Sequence, residues 1–192
     1  MLDPLRLVNT TSFATPEIPE PVLHAFTSER RAALGIPAGT RFYEESTFWD
    51  PSWTIARGAI QTTTIADMTA SAAAIGEGTL LSTDSHRAQT EKKLTGFGSA
   101  MPGCATCRTM TSEVSYGLGI WLVRDWLLQN PSFGGYGAFM AYLPARKIAI
   151  AVSVTVDEDG FDDQGNFLTS NASQPIGSAI GSLLAPESPI GA

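Results

Sequence analysis

The sequence predicts an α+β fold in which helices precede the later strands of an antiparallel sheet and a terminal helix covers that sheet. Three observations carry this expectation. Residues 61–96 hold two capped segments with helical spacing. Over residues 115–156 the apolar period shortens to that of strands. At residues 173–185 a proline-led segment returns to helical spacing. Nothing divides the chain, so residues 1–192 read as part of one domain.

Residues 1–60 read as an irregular connecting region, with prolines at 4, 16, 19, 21, 37 and 51. The stretch 15–21 resists helix and central strand alike, because proline removes a donor and restricts the residue before it. It is expected as a surface loop. The aromatic-rich segment 42–53 is expected to pack over a core edge or line a pocket. A helix should start near Ile65, with Thr64 as cap and Asp67 completing a capping box. Ile65, Met68, Ala72 and Ile75 then share a face, and Gly76 and Gly78 stop the helix. A second helix should follow Ser82, with Asp84 in its first turn, Lys92 and Lys93 in its last and Gly96 beyond.

Residues 116–123 read as one strand, turned by Arg124-Asp125 into Trp126-Leu-Leu128. Residues 137–143 form another, and Pro144-Ala-Arg146 is a short connection. Residues 147–156 are the clearest strand: Ile148, Ile150, Val152, Val154 and Val156 alternate with Ala149, Ala151, Ser153 and Thr155. One face is bulky and the other small, and the small face is expected to receive the terminal helix. In that helix Ser173 or Gln174 caps and Pro175 occupies the first turn. Ile176, Ile180, Leu183 and Leu184 form an apolar stripe, and Gly177 and Gly181 permit tight packing.

Composition excludes several function classes. The net charge is −7, and the basic pairs Arg30–Arg31 and Lys92–Lys93 are too small to form a nucleic-acid face. No apolar run reaches the roughly 18–20 residues that span a bilayer. The N-terminus lacks the pattern of a signal peptide, and residues 1–7 read like a buried connecting segment, as expected of a truncated gene product or of a chain that begins in mid-domain. The acidic loop 157–171 places Gly160 too early for a calcium loop and is expected to be solvated. His24 and His86 have no partners at ligand spacing and are expected on the surface. No metal or cofactor site is expected. Cys104-Ala-Thr-Cys107 suits a redox pair, half a zinc site or a small disulfide. Without a second pair, and with Pro102-Gly103 ahead of an antiparallel strand, a structural disulfide fits best. It implies an oxidising compartment.

Several stretches, in order, resemble the serine β-lactamase and penicillin-binding protein family, in its class C, D,D-carboxypeptidase and esterase branch. Leu2-Asp-Pro-Leu-Arg-Leu-Val-Asn-Thr10 is similar to that family's PLGL…T segment. Arg57-Gly-Ala-Ile-Gln-Thr-Thr-Thr-Ile-Ala-Asp-Met68 resembles its GG-x-x-ST-x-x-D-[LM] helix entry, and Gly78-Thr-Leu-Leu-Ser82 its G-x-LLS turn. Tyr116-Gly-Leu-Gly119 matches its YGLG strand. Gly134-Gly-Tyr136 stands where it has PGY or PGF, and Tyr142-Leu-Pro144 leads into its last hairpin.

The resemblance implies amide or ester cleavage through a serine acyl-enzyme, a small-molecule or peptide substrate, and an extracytoplasmic location. The alternative is a non-catalytic binding protein of the cell envelope. The family's Ser-x-x-Lys and Tyr-x-Asn motifs do not occur in this chain, so no catalytic residue is assigned and the nucleophile is expected outside it. The third motif, Lys/His-x-Gly, falls by spacing on Gln129-Asn130-Pro131. Gln129 is uncharged and Pro131 lacks an N–H, which departs from the pattern. The backbone N–H of Ser132 remains as a candidate oxyanion donor. The competing reading is that Gln129 and Asn130 merely end a strand and start a turn. Lys93-Leu-Thr-Gly96 has the wrong spacing and reads as a helix end.

Overall fold

The computed structural model describes residues 2–12, 18–49, 61–104, 107–166, 168 and 172–191. The chain opens with a short helix α1 (Leu2–Leu5) and a two-stranded ribbon of β1 (Phe26–Thr27) and β2 (Glu44–Glu45). Helices α2 (Ile65–Glu77) and α3 (Thr83–Thr90) follow. The main sheet comprises β3 (Val114–Tyr116), β4 (Trp121–Val123), β5 (Trp126–Gln129), β6 (Ser132–Phe133), β7 (Tyr136–Leu143) and β8 (Ile148–Thr155), and α4 (Ser173–Leu184) closes the chain. All strand pairs are antiparallel.

Local chemistry sets the helix ends. The Thr64 hydroxyl accepts the Asp67 N–H at 3.3 Å, and Gly78 ends α2 at φ +67. The Asp67 carboxylate is buried and accepts the Asn9 N–H at 2.8 Å and the Thr10 hydroxyl at 2.9 Å, which ties the opening segment to α2. Gly76, expected to help stop the helix, lies inside it, where a Cβ would overlap the Tyr142 ring. Ser82 caps α3, which ends at Thr90, before the lysines. Lys92 leaves the helix because its Nζ serves two carbonyls, Ser112 at 2.6 Å and Arg124 at 3.0 Å. His86 is not simply a surface residue: its ring packs over Gly78 and its Nε2 is buried.

Residues 116–123 form not one strand but the end of β3, a turn and β4, with Tyr116 opposite Trp121. The Gly117 N–H bonds to Ile120 O at 2.8 Å and Gly119 takes φ +76, so turn chemistry overrides the apolar run. Arg124 at φ 52 turns the chain into β5.

The terminal helix corrects the sequence reading twice. First, α4 covers the bulky face of the sheet. Gly177 meets Phe139 and Gly181 meets Ile150 and Ile190, so the small surface needed for close approach is on the helix. The core beneath it gathers Val123, Trp126, Leu128, Phe139, Ala141, Leu143, Ile150, Ala185 and Ile190. The small face of β8 lies instead under α2, where Gly76 packs on Tyr142, the partner of Ala149. Second, the predicted apolar stripe is exposed: Ser173, Gly177 and Gly181 are the buried residues, while Ile176, Ile180, Leu183 and Leu184 face out. Ala172, not Ser173 or Gln174, occupies the N-cap, and Pro175 does lie in the first turn.

The orientation of α4 follows from its ties. Asn130 Nδ2 donates to Gln174 Oε1 at 2.7 Å, and Trp126 Nε1 donates to Ser188 O at 2.7 Å. The Gln174 flank therefore faces β5, and Ile176, Ile180 and Leu183, around the helix from it, face out past β8. Among the described residues β8 pairs only with β7. Its other edge has no partner strand among the described residues.

The aromatic segment packs over an edge as expected: Tyr43 stacks on Phe161 at 5.2 Å and Trp49 sets its ring against Phe133 at 6.4 Å. Its remainder, with Trp53, and residues 15–17 of the proline-rich stretch 15–21 lie outside the described residues.

Gly177→Ala gains about 1 kcal/mol of helix propensity, but its methyl must displace the fully buried Phe139 ring. The net effect is expected to be a loss of about 1–3 kcal/mol. A lowered urea midpoint with an unchanged slope checks it.

Candidate functional site: an open strand edge

The pairing of β7 with its neighbours places the site. Gln129 lies opposite Met140 and Ser132 opposite Gly137, in one continuous register. Between them the Ala138 N–H donates to Pro131 O at 2.9 Å. Strands β5 and β6 are thus one strand interrupted at Asn130-Pro131. Bonded and non-bonded pairs alternate along an antiparallel ladder. Since Pro131 bonds toward β7, Asn130 and Ser132 turn their N–H and C=O groups the other way. On that side β4 reaches only as far as Leu128, opposite Trp121. Among the described residues no strand pairs with the outward side of 130–132, and Ser132 is exposed.

The side chains of the three candidate residues diverge, as alternation requires. Gln129 turns toward the β3–β4 turn, where its amide reaches the Tyr116 hydroxyl at 3.3 Å and the Gly119 carbonyl. Its stem borders a small apolar hollow with Ala72, Ile75, Ile120, Leu127 and Met140. Asn130 points to the opposite face and bonds Gln174. The structure therefore brings together backbone groups here, and the Gln129 amide is occupied within the fold.

The Gly134-Gly135 pair and the aromatic segment, both marked in the sequence, complete the surroundings together with Ser46 and Arg30, which nothing in the sequence assigns to a site. Gly134 (φ 52) and Gly135 (φ 85) make the two-residue turn from β6 to β7, a geometry that needs left-handed backbone at both positions. The β1–β2 ribbon docks on this turn. Phe26 N–H donates to Val156 O at 2.8 Å, and the buried Ser46 hydroxyl lies against the Gly134 carbonyl. A Cβ on Gly135 would strike the Phe26 backbone. Beside Phe133, Trp49 carries the Arg30 guanidinium 5.1 Å over its ring, and Arg30 forms a two-pronged pair with Glu44 at 2.8 and 2.5 Å. The trace of this wall in the sequence is the aromatic segment 42–53, in which Ser46-Thr47 stands between an acidic pair and an aromatic pair.

The three lysines lie elsewhere. Lys92 serves carbonyls at the far end of β4, Lys93 pairs with Glu91 at 3.1 Å, and Lys147 sits after the turn that leads into β8. Among the described residues no group of His, Cys, Asp and Glu converges at metal-ligand spacing. Chemically, the open amides can donate to a carbonyl oxygen or to the oxyanion it becomes, and they can pair with an extended peptide.

A polar cluster flanks the ribbon. His24 Nδ1 meets Glu45 Oε1 at 2.5 Å, with Glu20 at 4.0 Å from Nε2. Glu45, through the hydrogen bond first and its charge second, holds His24 above the ordinary imidazole value of 6.5. The same bond from His24, aided by the Thr47 hydroxyl, lowers the Glu45 carboxyl. Burial raises the Tyr136 phenol, which donates to Leu23 O at 2.7 Å. The His24 contribution to stability is present at low pH and lost as pH rises through its raised pKa. The Glu45 contribution is present at high pH and lost as pH falls through its lowered pKa. The pair is therefore most stabilising between the two. An NMR titration is expected to find His24 above 6.5, and Glu45→Gln is expected to bring it back down.

The comparisons with known proteins bear on the fold. Among solved structures, the chain is similar to a D-stereospecific amidohydrolase from Streptomyces sp., with a TM-score of 0.58 and 19% identity over 82% of this chain and 42% of that chain. It is also similar to a penicillin-binding protein from Bacillus halodurans, with a TM-score of 0.57 and 14% identity over 91% of this chain and 44% of that chain. The chain spans less than half the length of either. No protein-family model matches it, and no curated protein does. At such identities the likeness speaks for architecture, and it agrees with the ordered motifs: the chain has a serine β-lactamase/transpeptidase-type fold, an antiparallel sheet with flanking helices, over part of those proteins' length.

Proposed function

We propose that this chain carries the substrate-binding edge of a serine hydrolase that cleaves amides or esters through an acyl-enzyme, with the activated serine supplied by polypeptide outside these residues. The observation that carries the reading is the open edge at 130–132. Its N–H groups face away from β7 next to the Trp49–Phe133 wall. Acyl transfer needs donors held where negative charge develops on the carbonyl oxygen. The Ser132 N–H, fixed by the register on both sides of it, is the donor we assign to that role. The substrate is a small molecule or peptide with an extended acyl portion that lies along the edge. The absence of a Ser-x-x-Lys motif and the placement of all three lysines away from this edge support a nucleophile from elsewhere. The uncovered β8 edge and α4 stripe are where further polypeptide would pack. The Cys104–Cys107 disulfide supports an extracytoplasmic location.

One observation favours a second reading, a non-catalytic binding protein of the cell envelope. The position that is cationic in the related motif is Gln129, whose amide is held by Tyr116 and Gly119. With no cation there to hold a substrate carboxylate, efficient β-lactam hydrolysis is disfavoured.

Turnover of nitrocefin or a p-nitrophenyl ester by this chain alone is expected to stay at background. A covalent acyl adduct on one of its serines, seen by intact mass, would overturn the assignment of the nucleophile. Combined with a polypeptide bearing Ser-x-x-Lys and Tyr-x-Asn, the chain is expected to turn over ester. Ser132→Pro, which deletes the edge N–H, should then lower kcat by about 10²–10³-fold. Saturable binding of a D-Ala-D-Ala peptide with no turnover in that combination would instead establish the second reading.

A further inference from the structure

One side of β8 is committed to β7, and the register says which groups remain on the other. The Val156 N–H donates to Gly135 O at 2.9 Å, one step past the Thr155–Tyr136 pair. The Ala138 N–H, opposite Ser153, turns away from β8 to Pro131 O. Bonded positions alternate along an antiparallel ladder. Ile148, Ile150, Val152 and Val154 therefore bond to β7. Ala149, Ala151, Ser153 and Thr155 turn their N–H and C=O groups the other way, where no strand meets them among the described residues. Ile150 alone is buried in β8, whereas its equally long neighbour β7 is buried over most of its length. Thus β8 has the composition of an inner strand and the exposure of an outer one.

The ends of β8 carry opposite charges. Lys147 precedes the strand and Asp157 follows it, and both are exposed. Among the described residues neither side chain has an ion-pair partner. Asp157 also makes no side-chain cap to the short helix Glu158–Gly160. Arg146 is already held by Glu187 at 3.0 Å and by the Leu184 carbonyl at 2.7 Å, and takes no part. A second β8 laid antiparallel along the outward groups has one register in which all of them pair. Ala149 then stands opposite Thr155, Ala151 opposite Ser153, and Val152 lies on the two-fold axis. One step further out, the same register sets Lys147 of each copy opposite Asp157 of the other. Backbone pairing and charge thus select one alignment independently. The axis is perpendicular to the sheet, so it keeps each face on its own side. The two α4 helices then flank the axis on one face, and the exposed Ile176, Ile180 and Leu183, which face out past β8, meet their counterparts.

We propose that the chain self-associates through β8 as a two-fold symmetric dimer whose two sheets join into one. The partner is a second copy because the edge is complementary to itself. A foreign strand satisfies the backbone groups, whereas a copy also brings a carboxylate to Lys147, an ammonium to Asp157 and an aliphatic helix flank to α4. This inference does not rest on the hydrolase reading. It adds that the polypeptide bearing the nucleophile, which packs at the same edge in that reading, has to displace the second copy.

Sedimentation velocity of the full chain, from low micromolar to near-millimolar concentration, tests it. A reversible monomer–dimer equilibrium is expected, with no species beyond twice 20.4 kDa. Lys147→Glu or Asp157→Lys, each at an exposed position outside the ladder, should weaken the dimer by about tenfold or more, because two pairs turn from attractive to repulsive. The double variant Lys147→Glu/Asp157→Lys restores both pairs with signs exchanged and should return to within about threefold of the parent. Leu183→Glu should weaken the dimer with an unchanged circular dichroism spectrum. A chain that stays monomeric throughout overturns the proposal. So does a dimer that neither single reversal weakens, a double variant no tighter than the single ones, or open-ended growth past the dimer. Loss of the dimer in Phe97→Ser, with Lys147→Glu unaffected, overturns it as well and moves the interface to the segment 91–103. All of these read the chain by itself, so their failure is distinct from a failure of ester turnover in the combination described above.

Discussion

The register between β7 and the interrupted strand formed by β5 and β6 is the constraint on which the rest depends. It runs unbroken from Leu127 opposite Tyr142 to Phe133 opposite Tyr136. A slip of one residue would exchange the faces of the whole strand. It would send Trp126 and Leu128 out of the core and turn the Ser132 amide inward against β7. The buried Trp126 and Phe139 hold the register from one side of the sheet, and Gly134-Gly135 holds it from the end. The open edge is therefore not a loop feature. It is the continuation of a core strand past the end of its neighbour β4, and its direction is set by side chains far from any substrate.

Close approach organises both layers around that strand. On one face Gly177 and Gly181 let α4 settle onto Phe139 and Ile150; on the other Gly76 lets α2 settle onto Tyr142. Tyr142 meets Glu77 at 2.8 Å through its hydroxyl, and burial and the neighbouring carboxylate push its pKa up to about 12. That keeps the phenol neutral and the contact intact across any physiological pH. Each helix thus contributes smallness where the sheet contributes bulk, and interiors packed this way tolerate little added volume.

Where the signal was local, the sequence was readable. Thr64, Asp67 and Gly78 mark the ends of α2 by hydrogen bonds within a few residues of themselves, and the alternation of 147–156 marks β8. The fold was legible because ordered motifs along the chain agree with one architecture. The failures have tertiary causes. In α4 two faces compete, one apolar and one of small residues, and only the bulk of the opposing sheet decides for the small one. At 116–123 the apolar run hides a Gly-Leu-Gly turn whose closure depends on β4 pairing with β3. Asn130, Pro131 and Ser132 were found by spacing, but the direction of the Ser132 amide is a property of register. Ser46, Trp49 and Arg30 follow no period and reach the site only because a two-stranded ribbon folds back onto the Gly134-Gly135 turn.

The outer margin of β8 has a consequence for how this polypeptide behaves among its own kind. Natural sheets usually guard such a margin with a lysine, a proline, a bulge or a covering loop. Here Ile148–Thr155 carries none of the first two in its sequence, and the flanking surface of α4 is aliphatic. Mutual repulsion from the net charge of −7 acts over a short range in salt, and backbone groups seeking partners act on contact. Dispersal of the polypeptide at high concentration is thus governed by whatever strand reaches that margin first.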